Sequence, residues 1–215
     1  MKCLILANGS YGPLESYQHQ LTADIVLCAD GGANYAYLME LIPDYIIGDM
    51  DSISSEVKDF YLQKQVVFKK FPRQKDFTDT QLVISFAEEL GATEIVFLGT
   101  LGNRLDHTLS NLYSSMDACK KGKKVLHYSP ELTIYIVSDK LNLQGKIGDL
   151  VSVLALTDDV DGLTERGFKY PLEKVRLEKT NPYAISNYLI TENAEIELDN
   201  GIIAVFHYHN SSNEI

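Results

Sequence analysis

The chain has 215 residues, enough for one large domain or two small ones around a buried core. With 45% hydrophobic and 23% charged residues it has the make-up of a globular protein, which excludes a disordered or low-complexity chain. The formal net charge of −11 argues against nucleic-acid binding, and an anionic ligand would need a metal ion or local Arg and Lys to be held. Cys3, Cys28 and Cys119 are odd in number and widely spaced, and two of them sit in apolar runs. They read as small buried hydrophobes in a reducing compartment. The opening run through Ala7 is too short for a signal peptide or a membrane span, so a cytoplasmic protein without membrane association is expected.

Residues 3–7 form a continuous apolar run closed by Asn8-Gly9, the form of a strand buried on both faces. A polar connection with no helical period follows to about residue 20. The pattern then predicts a strand at 25–29 broken by Asp30-Gly31-Gly32, a helix at 33–41 stopped by Pro43, and a strand at 45–47. Ser54 or Ser55 can cap a helix to about residue 63, before a strand at 66–68. Thr78-Asp79-Thr80-Gln81 has the spacing of a capping box. Leu82, Val83, Phe86, Ala87 and Leu90 then recur at helical period, and Gly91 ends the helix. A strand at 95–98, a helix at 106–121 ending in basic residues and a strand at 125–128 complete the first half.

Beyond Pro130 the texture changes to short β-type runs at 132–137, 149–156, 174–177, 185–190, 194–198 and 201–207. Asn, Gly and Asp turns separate them, and Asp199-Asn200-Gly201 is a hairpin signal. The expected fold is therefore α/β. Residues 1–130 form a doubly wound, mostly parallel sheet domain, and 131–215 a C-terminal antiparallel β-sandwich.

Four loops of the first half carry carboxylates, and each follows an apolar, strand-like run: Asp30-Gly31-Gly32-Ala33-Asn34, Gly48-Asp49-Met50-Asp51-Ser52, Lys75-Asp76-Phe77-Thr78-Asp79 and Gly102-Asn103-Arg104-Leu105-Asp106-His107. In an open α/β sheet such loops converge on one crevice. Asp49 and Asp51, one residue apart, can point at one hard cation such as Mg²⁺; the competing reading is an Asp-rich turn. Asp79 in the first turn of a helix can serve the helix dipole without further function. Gly31 and Gly32 allow a tight turn and a close backbone approach to a ligand. Arg104 has the donor fork suited to phosphate, and its alternative is an ion pair with Asp106. His107 reads as a helix-start residue, and His207 and His209 as structural.

As a set, these motifs resemble thiamine pyrophosphokinase. The matching residues are Ala29-Asp30-Gly31-Gly32-Ala33-Asn34, Gly48-Asp49-Met50-Asp51-Ser52, Asp76-Phe77-Thr78-Asp79 and Arg104-Leu105-Asp106-His107 with Asn111. In the second half they are Gly167-Phe168-Lys169-Tyr170-Pro171-Leu172 and Ile185-Ser186-Asn187. The resemblance implies pyrophosphoryl transfer from ATP to the hydroxyl of thiamine, giving thiamine diphosphate and AMP. It also implies a homodimer with active sites between subunits, an ATP- and metal-binding catalytic domain at 1–130, and a thiamine-binding, dimerising domain at 131–215. By position, Asp49, Asp51 and Asp79 match Mg²⁺-binding carboxylates. Asp30, Arg104 and Asp106, with Gly31 and Gly32, match the surroundings of the nucleotide, and Ser186 and Asn187 match positions that hold thiamine. Either Asp76 or Asp106 could take the hydroxyl proton. Two residues depart from the pattern: Asn103 stands where a second Gly is usual, and Tyr188 where bacterial relatives often have Glu. A haloacid-dehalogenase-like phosphohydrolase, suggested by Asp49-x-Asp51, would place its motif on the first strand rather than the third. A non-catalytic nucleotide or thiamine sensor would not need so many carboxylates around a phosphate.

Overall fold

The computed structural model describes residues 1–71 and 77–209. The chain divides into two compact units, Met1–Ala118 with Lys123–Ser129, and Cys119–Gly122 with the chain from Pro130 onward.

In the first unit β1 (Lys2–Leu6), β2 (Ile25–Ala29), β3 (Tyr45–Gly48), β4 (Val67–Lys70), β5 (Glu94–Leu98) and β6 (Lys124–Tyr128) are all parallel. Their order is β6-β5-β1-β2-β3-β4. Helices α1 (Gly32–Leu38), α2 (Ser55–Gln63), α3 (Asp79–Glu89) and α4 (Leu105–Lys120) connect them. Alternate strand residues face opposite ways. Leu4, Leu6, Cys28 and Ile46 pack with Ala33, Ala36, Val57 and Tyr61 of α1 and α2. On the other face the ring of Tyr45 meets Phe86 of α3 at 4.9 Å. Both faces are therefore covered, which is why the strands read as unbroken apolar runs. The chain winds outward from β1 to β4 and returns with β5 on the opposite side of β1. The strand order reverses between β1 and β5, and such a point opens a crevice at the carboxyl ends of the strands.

Two local expectations change. The connection after β1 contains a 3-10 turn at Leu14–Gln20, held by the fully buried Tyr17, whose ring lies 5.3 Å from Tyr11 and 5.8 Å from Tyr128. One anchoring aromatic leaves no helical period to read. Helix α1 stops at Leu38 rather than 41, because Glu40 turns to φ +57° and Leu41 N–H returns to the Ala36 carbonyl.

The second unit holds β7 (Leu132–Val137), β8 (Lys140–Gln144), β9 (Leu150–Ala155), β10 (Asp159–Arg166), β11 (Leu172–Glu178), β12 (Asn187–Tyr188), β13 (Asn193–Glu197) and β14 (Ile203–Tyr208). They form antiparallel runs β12-β9-β14-β7 and β11-β10-β13-β8. Val151, Val153 and Val205 from the first run share one core with Val160, Leu163, Leu177 and Ile196 from the second, a β-sandwich. Strands β8 and β10 are polar along their outer face, which hid them from the sequence pattern. The segment 185–190 contributes only Asn187–Tyr188. Asp199-Asn200-Gly201 is not a hairpin turn: it joins β13 to β14, which lie in different sheets, with Gly201 at φ +102° and Asn200 bridged to Asp161.

Candidate active site

The loops after β1, β2, β3 and β5, with the start of α3, line a cleft of about 830 Å³ in the first unit. This is within the usual range for small-molecule sites. Its wall is built from short, strained turns. After β2 the backbone turns left-handed at Asp30 (φ +45°), whose amide donates to the Ile47 carbonyl at 2.8 Å. Asp30 Oδ1 accepts from Met50 N–H at 3.1 Å, tying the β2 loop to the β3 loop. A Cβ on Gly32 would lie 2.1 Å from the Leu6 carbonyl oxygen, so only glycine lets α1 start this close to β1. Asn34 is a second tie: its Nδ2 donates to Ser52 O at 2.9 Å and its Oδ1 accepts from Ser54 N–H at 3.1 Å. Ser54 in turn caps α2.

These ties gather the carboxylates. One oxygen from each of Asp30, Asp49 and Asp51 lies within 4.8 Å of the others. Asp49 Oδ1 accepts from Asp51 N–H at 3.1 Å, and Asp51 Oδ1 from the Ser52 hydroxyl at 3.1 Å. Burial, and then the charges of Asp49, Asp79 and Asp51, hold the Asp30 carboxyl above the usual range against an opposing Ser52 hydrogen bond. An all-oxygen, like-charged cluster of this kind is a site for a hard divalent cation. Asp79 opens α3 behind the capping box, in which Gln81 N–H donates to Thr78 Oγ1 at 3.2 Å and Thr78 N–H to Gln81 Oε1 at 2.9 Å.

Across the cleft, Arg104 makes a two-point ion pair with Asp106, Nε to Oδ1 at 3.2 Å and the second contact to Oδ2 at 2.5 Å. Both side chains are exposed, and each holds the other's charge, Asp106 below the usual carboxylate range. The sequence pointed to Asn111 on the cleft floor but not to the hydrogen-bond network it joins. Thr80 Oγ1 donates to Asn111 Oδ1 at 2.9 Å, and Asn111 Nδ2 to Thr100 O at 3.0 Å. Thr100 and Ser115 hydroxyls sit 2.8 and 3.0 Å from the two ring nitrogens of the buried His127, which stacks on Phe97. Burial pushes His127 down to about 3, so the ring is neutral. Asn8, Gly9 and Ser10 also line the cleft. The one signal that could have found them is their place after β1, beside the reversal of strand order.

Gly31 and Gly32 shape the turn, and Asp49 and Asp51 reach the cleft through Asp30. Asp76, Lys75 and Arg73 lie outside the described residues. Ser186 and Asn187 belong to the second unit. Ser186 is exposed at φ +58°, its amide donating to Ser152 Oγ at 3.0 Å. Asn187 is buried, with every polar atom of its side chain engaged: Oδ1 accepts from Tyr170 and Tyr188 N–H, each at 3.0 Å, and Nδ2 donates to Tyr170 O and Glu165 Oε2, each at 2.8 Å.

Residues 17–127 match the family model of the thiamin pyrophosphokinase catalytic domain, and residues 137–203 that of the thiamin pyrophosphokinase vitamin B1 binding domain. The chain belongs to the thiamine pyrophosphokinase family. It is 26% identical to thiamine pyrophosphokinase 1 of Oryza sativa subsp. japonica over 210 residues, covering 84% of this chain and 78% of the relative. It is 25% identical to thiamine pyrophosphokinase of Bacillus subtilis over 165 residues, covering 76% and 77%. The solved structure of a Bacillus subtilis thiamine pyrophosphokinase has the same fold, with a TM-score of 0.86 at 22% identity over 98% of this chain and 100% of that one. Members of this family are ATP-using pyrophosphotransferases that form thiamine diphosphate, which places this chain among the transferases of the kinase type. Among the described residues no helix is long and apolar enough to cross a membrane.

Proposed function

We propose that this protein transfers a pyrophosphoryl group from ATP to the hydroxyl of thiamine, releasing AMP, at the crevice where the parallel sheet reverses its strand order. The observation that carries this is the gathering of Asp49 and Asp51 around Asp30, which lines a cleft that Asp79 and Arg104 also line. The oxygen donors fit Mg²⁺, which Asp49 and Asp51 would hold with Asp30 or Asp79; when bound, it supplies neutralising charge for the ATP phosphates. Gly31 and Gly32 let the backbone come close to the nucleotide. Arg104, exposed and paired only at the surface, can exchange Asp106 for a phosphate oxygen at little cost and offset charge on the departing AMP. That exchange frees the Asp106 carboxylate from the cation that depresses its basicity, so it becomes able to take the thiamine hydroxyl proton. Asp76 is the other candidate base. As in other phosphoryl transfers, the side chains act mainly by positioning and electrostatics.

In this reading residues 1–130 bind ATP and metal, and residues 131–215 bind thiamine through Ser186 and the segment that Asn187 holds. A homodimer is supported by the family and by the exposed stripe Leu105, Leu109 and Tyr113 on α4 beside the cleft. Three free, buried thiols support residence in the cytoplasm. The test is an AMP-release assay with ATP, Mg²⁺ and thiamine against a control without thiamine, with thiamine diphosphate identified chromatographically. Thiamine-independent AMP, or ATP binding with no AMP, would refute the reaction. Asp51→Asn should lower turnover by at least about a hundredfold, since even residues supporting metal ligands cost ~10–100-fold.

A further inference from the structure

Asn187 stands where the family pattern holds thiamine, yet its side chain has no free donor or acceptor for a ligand. Two backbone N–H groups, of Tyr170 and Tyr188, point at one atom of the amide, so that atom is the oxygen. The nitrogen must then face Glu165 Oε2, which accepts its hydrogen bond. Asn187 thereby clamps Tyr170 at both its N–H and its carbonyl, and also holds the N–H of Tyr188, two residues after Ser186. What fixes Asn187 is Glu165.

Glu165 sits on β10 directly opposite Ile196 of β13, so its side chain shares that residue's inward face. It is 1% exposed, and its Oε1 has no hydrogen-bond partner. The charged groups of the neighbouring strands point outward and are matched elsewhere. Arg166 and Lys140 pair with Glu195 and Glu197, Lys174 with Asp199, and Arg176 with Asp159, while Glu173 is exposed. Lys169 lies over the rings of Tyr170 and Tyr188 at 5.5 and 5.7 Å. The buried Asp149 is matched by His207 at 2.7 Å.

We propose that Glu165 is a positioning residue for the thiamine end of the site, orienting Asn187 and through it the Tyr170 and Ser186–Tyr188 segments. This rests on the reading that the second unit binds thiamine. Burial, opposed by the Asn187 bond, pushes the Glu165 carboxyl up to about 7. Below that pH the proton resides on Oε1, since Oε2 accepts from Asn187, and the clamp holds. Above it an anion with one hydrogen bond is buried in an apolar wall. The Asn187 bond favours this anion, but the cost of its burial is larger, and water drawn in to Oε1 would open the clamp.

The experiment is steady-state kinetics from pH 6 to 8.5 with thiamine varied at saturating ATP and Mg²⁺, for wild type, Glu165→Gln, Glu165→Leu and Ser186→Arg. Taking the ratio of wild type to Glu165→Gln removes the titration of the substrates themselves. The wild-type KM for thiamine should rise relative to Glu165→Gln above about pH 7, approaching roughly tenfold per pH unit where only the protonated form binds. The KM for ATP should not follow. Glu165→Leu, lacking the acceptor, should have a high thiamine KM at every pH while keeping its circular dichroism. A constant ratio of wild type to Glu165→Gln, or a folded Glu165→Leu with wild-type KM, overturns the proposal. Ser186→Arg places a cation where cationic thiamine is read to bind and should raise the thiamine KM at all pH values. If it does so while Glu165→Gln tracks wild type, only the role of Glu165 falls; if it has no effect, the thiamine-binding reading falls.

Discussion

Replacing Asp30 by Asn separates what the acidic cluster costs the fold from what it gives to catalysis. Oxygens of Asp30, Asp49 and Asp51 lie within 4.8 Å of one another. At that distance two unit charges repel by about 1 kcal/mol with the screening of water and about 3.5 kcal/mol at an effective dielectric constant of ~20. Asp30 is only 7% exposed and Asp51 is exposed, so the repulsion relieved by removing one charge falls between those limits. Asn keeps an oxygen to accept the Met50 N–H, and it tolerates the left-handed backbone at this position. Without divalent metal, Asp30→Asn should therefore melt above wild type, by roughly 2–4 °C per kcal/mol for a chain of this size. With Mg²⁺ the order should reverse, because wild type gains the metal's binding free energy and the variant loses much of it. Differential scanning calorimetry in EDTA and in excess Mg²⁺ measures both. A variant that melts below wild type in EDTA would show that the turn needs the carboxylate more than the cluster suffers from it. An unchanged Mg²⁺ response would remove Asp30 from the metal site.

Three further outcomes are expected. Thr78→Ala removes the cap of α3 and should cost about 1 kcal/mol in chemical denaturation, typical of a lost N-cap. Arg104→Ala breaks an exposed pair, so the melting temperature should hold while the KM for ATP rises; a loss of stability with unchanged kinetics would make the pair structural. The folded state holds His127 near 3, below its ordinary 6.5, so the stability it contributes is complete above pH 6.5 and lost as pH falls toward 3. Wild type should lose roughly 2 kcal/mol from this group by pH 5, and His127→Gln, though weaker overall, should lack that acid-linked loss in melting curves against pH.

The parallel sheet was legible because strands such as β2, β3 and β5 are apolar runs closed by glycine or aspartate, and α3 because Thr78, Gln81 and Gly91 mark both its ends. The sandwich was less legible. Strand β10 contains Asp161, Gly162 and Thr164, and its outer charges serve ion pairs that no local pattern reveals. The carboxylates of the cleft could be named from spacing, but not the grouping of Asp30 with Asp49 and Asp51, which arises from a hydrogen bond between loops 20 residues apart. His127 and Glu165 were invisible for a related reason. A buried polar residue in a strand gains its meaning from partners on other elements, here Thr100, Ser115 and Asn187.

The charge of the cleft also sets the order in which ligands can enter. A protein of net charge −11 offers ATP a cleft lined by Asp30 and Asp79, with Asp49 and Asp51 clustered at Asp30, while Arg104 is already engaged by Asp106. The triphosphate and this cleft repel each other unless a cation lies between them, so nucleotide binding should depend on the metal and not only on turnover conditions. Isothermal titration of a non-hydrolysable ATP analogue should show binding in Mg²⁺ and a much weaker affinity in EDTA. Asp51→Asn, with one charge fewer, should bind less tightly in Mg²⁺ yet lose less when the metal is withdrawn. Equal affinities with and without metal would mean that the phosphates lie away from the carboxylates, and the assignment of the cleft would have to move with them.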